Sequence, residues 1–288
     1  MRIGILLIRV LPGLLLVSLG VAPPAWAHLG IDEQIQAVTS EIEKDPQDPN
    51  LYLRRGELHR IHRDWDKAEA DYLEARKLDS DLGAVDFCLG RMKLQSDRPA
   101  EAKPALERYL AQRPDDPEGW VTQGRTLAKL GEYVAAAEAF THAVEHSGRH
   151  RQRPEYYLER ARALRAAGPK HYDEAIRGLD EGLERLGQPV VLQDLAIDLE
   201  LALRRYDNAL ARLETLAARS QRKETWLVRK AEILESAGRS DQAREAYSKT
   251  LNAIAELPDS RQHNRAVERL EARARTALQR LDEPSDHP

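Results

Sequence analysis

Nine histidines, one cysteine and 48 carboxylates are the groups of this 288-residue chain that could hold a metal or move a proton. His142, His146 and His150 recur every fourth residue, and a helix would set His142 and His146 on one face as a metal pair. His59 and His62 are one turn apart. Gly148 ends any such helix before His150, however, and no carboxylate or cysteine completes a ligand set. Surface histidines are therefore expected, and no metal ligand is assigned. His28 would offer its α-amino group beside its imidazole if the chain were cut just before it, and would still need a second histidine in space. Asp194, Asp198, Glu232 and Glu235 come nearest to an acid–base set, but no oxyanion donor or cofactor site accompanies them. The sequence has no phosphate loop, zinc-protease helix, nucleophile elbow or dinucleotide fingerprint. Cys88, between Phe87 and Leu89, reads as a small buried apolar residue. The expectation is no catalysis and no cofactor.

The elements that must carry these residues are clearest at 117–150. Trp120, Gly124 and Leu127 mark one amphipathic helix, Gly131 a turn, and Ala136, Phe140 and Ala143 a second helix. Gly124 leaves room for a neighbouring helix, and Gly131 can take the left-handed conformation that ends the first. A hairpin of this kind cannot bury its apolar faces alone and needs copies of itself on both sides.

Trp120, Gly124, Ala136, Phe140 and Ala143 fall in the order of the thirty-four-residue tetratricopeptide repeat, and the segment resembles that family. Leu127 stands where the pattern has Tyr, and Gln123 where it has Leu. The same pattern runs through 49–82 (Tyr52, Gly56, Ala68, Tyr72, Ala75) and 83–116 (Gly90, Ala102, Leu106, Pro114). In the latter, Tyr109 occupies a site that is usually Ala, and Pro99 and Pro104 argue against a regular second helix. Further units are 154–189, two residues longer at its turn, 190–223, where Ile197 replaces the Gly, and 224–257. The expected organisation is a leader at 1–27, an N-terminal capping helix in 28–48, six repeats over 49–257, one capping helix in 258–282 and a disordered tail at 283–288. The resemblance implies an all-α, right-handed α-solenoid with a concave groove lined by the first helix of each pair.

It also implies a non-catalytic scaffold that binds a protein or peptide in that groove. The positions it assigns to the groove are Arg91 and Leu94 in the second repeat, Arg125 and Lys129 in the third, and Arg162 and Arg165 in the fourth. Stacking would set Arg91, Arg125 and Arg162 in a ladder suited to an acidic segment, with Leu53, Phe87, Val121 and Leu158 beside them. Asp194, Asp198, Glu232 and Glu235 would turn the far end acidic. The alternative is a metal-handling accessory protein using His28 or the His142/His146 pair, with a hydrolytic enzyme behind it.

The net charge of −4 argues against a general nucleic-acid binder. At the N-terminus, Arg2 and Arg9 precede an apolar run over 10–22, and Ala25 and Ala27 have the spacing of a signal-peptidase site. The run is short for a bilayer span, which needs about 20 residues. Cleavage after Ala27 and export to a bacterial periplasm, with no membrane insertion afterwards, are expected. A single cysteine cannot form an internal disulfide, so stability must come from packing.

Overall fold

The computed structural model describes residues 30–148 and 152–283. The leader, His28, His150 and the tail beyond Glu283 lie outside them. Among the described residues there are fifteen α-helices and no strand. The fold is all-α, an α-solenoid of successive helix-turn-helix pairs. Its helices fall into two compact units, one ending at Asp79 and the other beginning at Ser80.

The first unit holds α1 (Ile31–Lys44), α2 (Pro49–His62) and α3 (Trp65–Leu78). Asp48 caps α2 by accepting the Asn50 N–H, and Pro49 fills the first position, where no N–H is required. The α2–α3 hairpin closes on Tyr72, which is fully buried. Arg55 donates two hydrogen bonds to Asp71, at 2.9 and 2.7 Å, and a third to Thr39 of α1 at 3.2 Å. The planar guanidinium thereby ties all three helices together. His59 is 7% exposed, with Asp64 3.7 Å from one ring nitrogen and Asp71 3.9 Å from the other.

The second unit begins with the pairs α4 (Ala84–Gln95) with α5 (Pro99–Gln112), α6 (Pro117–Lys129) with α7 (Tyr133–His146), and α8 (Pro154–Ala167) with α9 (Tyr172–Leu186). There follow α10 (Val190–Ala202) with α11 (Tyr206–Ala217), α12 (Lys223–Ser236) with α13 (Ser240–Ala255), and finally α14 (Asp259–Gln262) and α15 (Arg265–Asp282). Left-handed residues sit between paired helices at Asp97, Gly131, Arg204 and Gly238, and the first two and the last two are each one thirty-four-residue step apart. Only two of the four are glycine; the others hold a conformation that costs a side chain about 1 kcal/mol or more.

Two sequence expectations change. Pro99 and Pro104 do not spoil α5, which is continuous from Pro99. Pro99 is at its first position. Pro104 forfeits one backbone bond, at a cost of roughly 3 kcal/mol, against burial of Ala105, Leu106 and Leu110. The segment after Pro258 is two helices rather than one. The chain breaks at 263–264, and Asn264 starts α15 by accepting the Ala266 N–H at 2.8 Å. Val267, Ala274 and Ala277 of α15 are buried, and Ala274 and Ala277 share a core with Ala243 and Tyr247 of α13.

Ion pairs stitch neighbouring repeats together. Lys129 meets Asp97, Arg212 meets Asp180 and Arg229 meets Asp194 at 2.5, 2.6 and 2.7 Å, with partners 32, 32 and 35 residues apart. Arg205 reaches Asp173 in the same way.

Candidate functional site

The first helices of successive pairs in the second unit, α4, α6 and α8, line a cleft of about 580 Å³. Its walls carry Leu94, Arg125, Ala128, Lys129, Arg162 and Ala166, with Tyr133 and Phe140 of α7 behind them. A second cleft of about 630 Å³ continues between α8 and α10, where Leu158, Arg162 and Arg165 face Val191, Asp194 and Asp198. Arg162 and Ala166 belong to both. Ala166, small and exposed, leaves the wall between them open.

The residues expected at a groove are thus partly gathered. Leu94, Arg125, Lys129 and Arg162 meet in the first cleft, and Leu158, Arg162 and Arg165 in the second. Val121 does not reach either; it is 1% exposed and packs in the core with Leu127 and Phe140. Its place in the helical turn points toward the partner helix, which periodicity alone did not resolve. Arg91 lies outside the lining of both clefts and sits over the Phe87 ring, 5.1 Å from its centroid. Phe87 in turn packs on Tyr109 at 5.0 Å. Leu53 is half-buried on α2, in the first unit.

Charge in the clefts is mostly committed. Arg125 forks onto Glu159, at 2.5 and 2.9 Å, and this pairing raises the guanidinium's proton affinity. Lys129 holds Asp97 at 2.5 Å and keeps that carboxyl below its ordinary range. Arg229 spans Asp194 and Asp198, at 2.7 and 2.9 Å. Arg273 takes Glu232, and Arg280 takes Glu235. The four carboxylates of the expected acidic end are therefore all engaged, by three arginines, which leaves one net negative charge on the Asp194/Asp198 pair. Glu235 also accepts the Tyr247 hydroxyl at 2.9 Å, and burial, reinforced by that bond, pushes the phenol above its usual range. By contrast, Arg162 and Arg165 are exposed and have no carboxylate partner among the described residues.

Glu159 and Arg229, which set this charge pattern, were missed in the sequence. The usable signal was the repeat step: Glu159 follows Arg125 by 34 residues. Tyr109, anomalous in sequence, also acquires a role. Its hydroxyl donates to Asp116 at 2.5 Å, and Asp116 caps α6 by accepting the Glu118 and Gly119 N–H groups.

His142 and His146 are exposed with their rings stacked 6.3 Å apart, and His142 packs 4.4 Å from Trp120. Among the described residues no group of three or more His, Cys, Asp or Glu is arranged to hold a metal ion.

A tetratricopeptide-repeat family model matches residues 89–150 and 195–261, on the same phase as the helix pairs above. Over those two stretches the chain carries tetratricopeptide repeats. Its fold is shared by the C-terminal part of a tetratricopeptide-repeat protein from Cytophaga hutchinsonii, 14% identical, with a TM-score of 0.64 over 83% of this chain and 94% of that one. YrrB, described as a tetratricopeptide-repeat protein with an unusual peptide-binding site, is 21% identical, with a TM-score of 0.54 over 64% of this chain and 92% of its own. A tetratricopeptide-repeat protein from Parabacteroides merdae is 14% identical, with a TM-score of 0.51 over 85% of this chain and 92% of that one. At these identities the likeness concerns the fold. No curated protein matches the chain. Tetratricopeptide repeats generally serve as non-catalytic protein-interaction scaffolds.

Proposed function

We propose that this chain is an exported scaffold that holds a protein or peptide with an acidic segment in the cleft of α4, α6 and α8. The observation that carries the reading is the cleft itself: apolar between its charges, open to solvent, and bordered by cations. The peptide-binding site named for YrrB is consistent with it. Export rests on the leader-like residues 1–27; the mature chain would begin at His28, and the compartment would be a bacterial periplasm.

Ala166 is exposed and lines both clefts, so Ala166→Trp fills the space without disturbing the core. Affinity capture from the native envelope fraction should recover a partner with the wild type and not with Ala166→Trp, at equal melting temperature. Capture that survives the substitution would remove the cleft from the mechanism. Mass measurement of the chain recovered from that fraction tests the leader: a species still carrying residues 1–27 in the soluble fraction contradicts cleavage.

A further inference from the structure

The cleft charges are unequal in what they can offer a newcomer. Arg125 would have to release Glu159, and Lys129 would have to release Asp97, before either could take an external carboxylate. Arg162 and Arg165 owe nothing: both are exposed, and neither has an acidic partner among the described residues. They are three residues apart on α8, the spacing that puts two side chains on one helical face. The acidic groups that share their cleft, Asp194 and Asp198, are already engaged by Arg229, and nearby Glu159 is engaged by Arg125. Beside the two guanidiniums lies apolar surface, with Val191 50% exposed near the start of α10 and Leu158 half-buried opposite. Exposed branched side chains next to unpaired cations suit an incoming segment that supplies both an anion and an aliphatic contact.

We infer that the α8–α10 cleft anchors an internal acidic–aliphatic segment of the partner, its carboxylates on Arg162 and Arg165 and its aliphatic side chain against Val191 and Leu158. This rests on the peptide-cleft reading above and moves the anchor away from the expected ladder: Arg91 is stacked on Phe87 and Arg125 is satisfied by Glu159.

The test is fluorescence anisotropy on the full chain with a labelled, C-terminally amidated peptide of alternating aspartate and leucine, beside the same peptide with asparagine for aspartate. The aspartate peptide should bind saturably and at least roughly tenfold more tightly than the asparagine peptide. Arg162→Gln combined with Arg165→Gln should erase most of that difference without moving the melting temperature, and Arg162→Lys with Arg165→Lys should keep part of it. Ala166→Trp should abolish binding of both. Equal affinity for the two peptides, still lost in Ala166→Trp, would overturn the anchor and leave the peptide-cleft reading standing. Binding indifferent to Ala166→Trp would remove both. A requirement for a free terminal carboxylate, or no binding of any probe, would also overturn the anchor.

Discussion

A β-carbon on Gly124 would stand 2.8 Å from the ring of Phe140. The two helices of this hairpin approach until one ring fills the place of one missing methyl, and Phe140 is itself 2% exposed. The same relation joins Gly56 to Tyr72 and Gly90 to Leu106. Gly124→Ala is therefore expected to destabilise the second unit by about 1–2 kcal/mol, because overpacking outweighs the better helix propensity of alanine. Urea unfolding followed by circular dichroism reads this directly; an unchanged or higher midpoint would mean that the ring can move aside.

Tyr109 and Gly119 form a second complementary pair. A β-carbon on Gly119 would lie 2.7 Å from the Tyr109 ring, so the large residue of one repeat is accommodated by the small residue opening the next. Gly119→Ala alone should cost about 1–3 kcal/mol. In a double-mutant cycle with Tyr109→Ala the coupling should exceed roughly 0.5 kcal/mol, with the second change recovering part of the loss from the first. Additive effects would show that the two positions do not share the space.

His59 should make the first unit sensitive to acid. Burial, the largest influence, holds its imidazole below the usual value, and Lys67 and Arg55 push the same way; Asp71 and Asp64 pull it back up. Its Nδ1 has no hydrogen-bond partner. Because the unfolded imidazole takes its proton first, stability is full above about pH 6.5 and falls as pH drops through the lowered native value. Protection factors in α2 and α3, taken relative to the intrinsic exchange rate at each pH, should therefore fall between about pH 7.5 and pH 5, more in the wild type than in His59→Gln. Identical pH profiles would assign the effect to other groups.

Arg229 tests how the α8–α10 cleft stays receptive to acids. Arg229→Met leaves Asp194 and Asp198, with side chains 39% and 54% exposed, without their cation. The stability change should be small, about 1 kcal/mol or less, since exposed pairs contribute little. Binding of the aspartate–leucine peptide should nevertheless weaken, and more at low than at high salt, because the freed carboxylates repel it across the cleft. Unaltered binding would place the peptide elsewhere.

The helical pairing was legible because Gly124, Ala136 and Phe140 carry size information at fixed steps, and steric fit between two helices leaves few alternatives. The charge pattern of the clefts was less legible. Arg91 and Arg125 have the same residue type and repeat position, yet one lies on an aromatic ring and the other forks onto Glu159. A sequence shows which charges a repeat presents but not which of them a neighbour consumes. Val121 failed for a related reason: one helical step separates a core-facing residue from a cleft-facing one. Pro104 misled because local propensity was weighed without the burial of Ala105, Leu106 and Leu110 around it.

The bridges from Lys129 to Asp97, Arg125 to Glu159 and Arg212 to Asp180 each join different charges at different heights. They act as keys cut differently from one another, although Arg205–Asp173 and Arg239–Asp207 repeat one bridge at two successive junctions, so hairpins that look interchangeable in outline are only partly so. Excising or transposing one whole unit would preserve each hairpin's own packing and still bring mismatched teeth together at the seam.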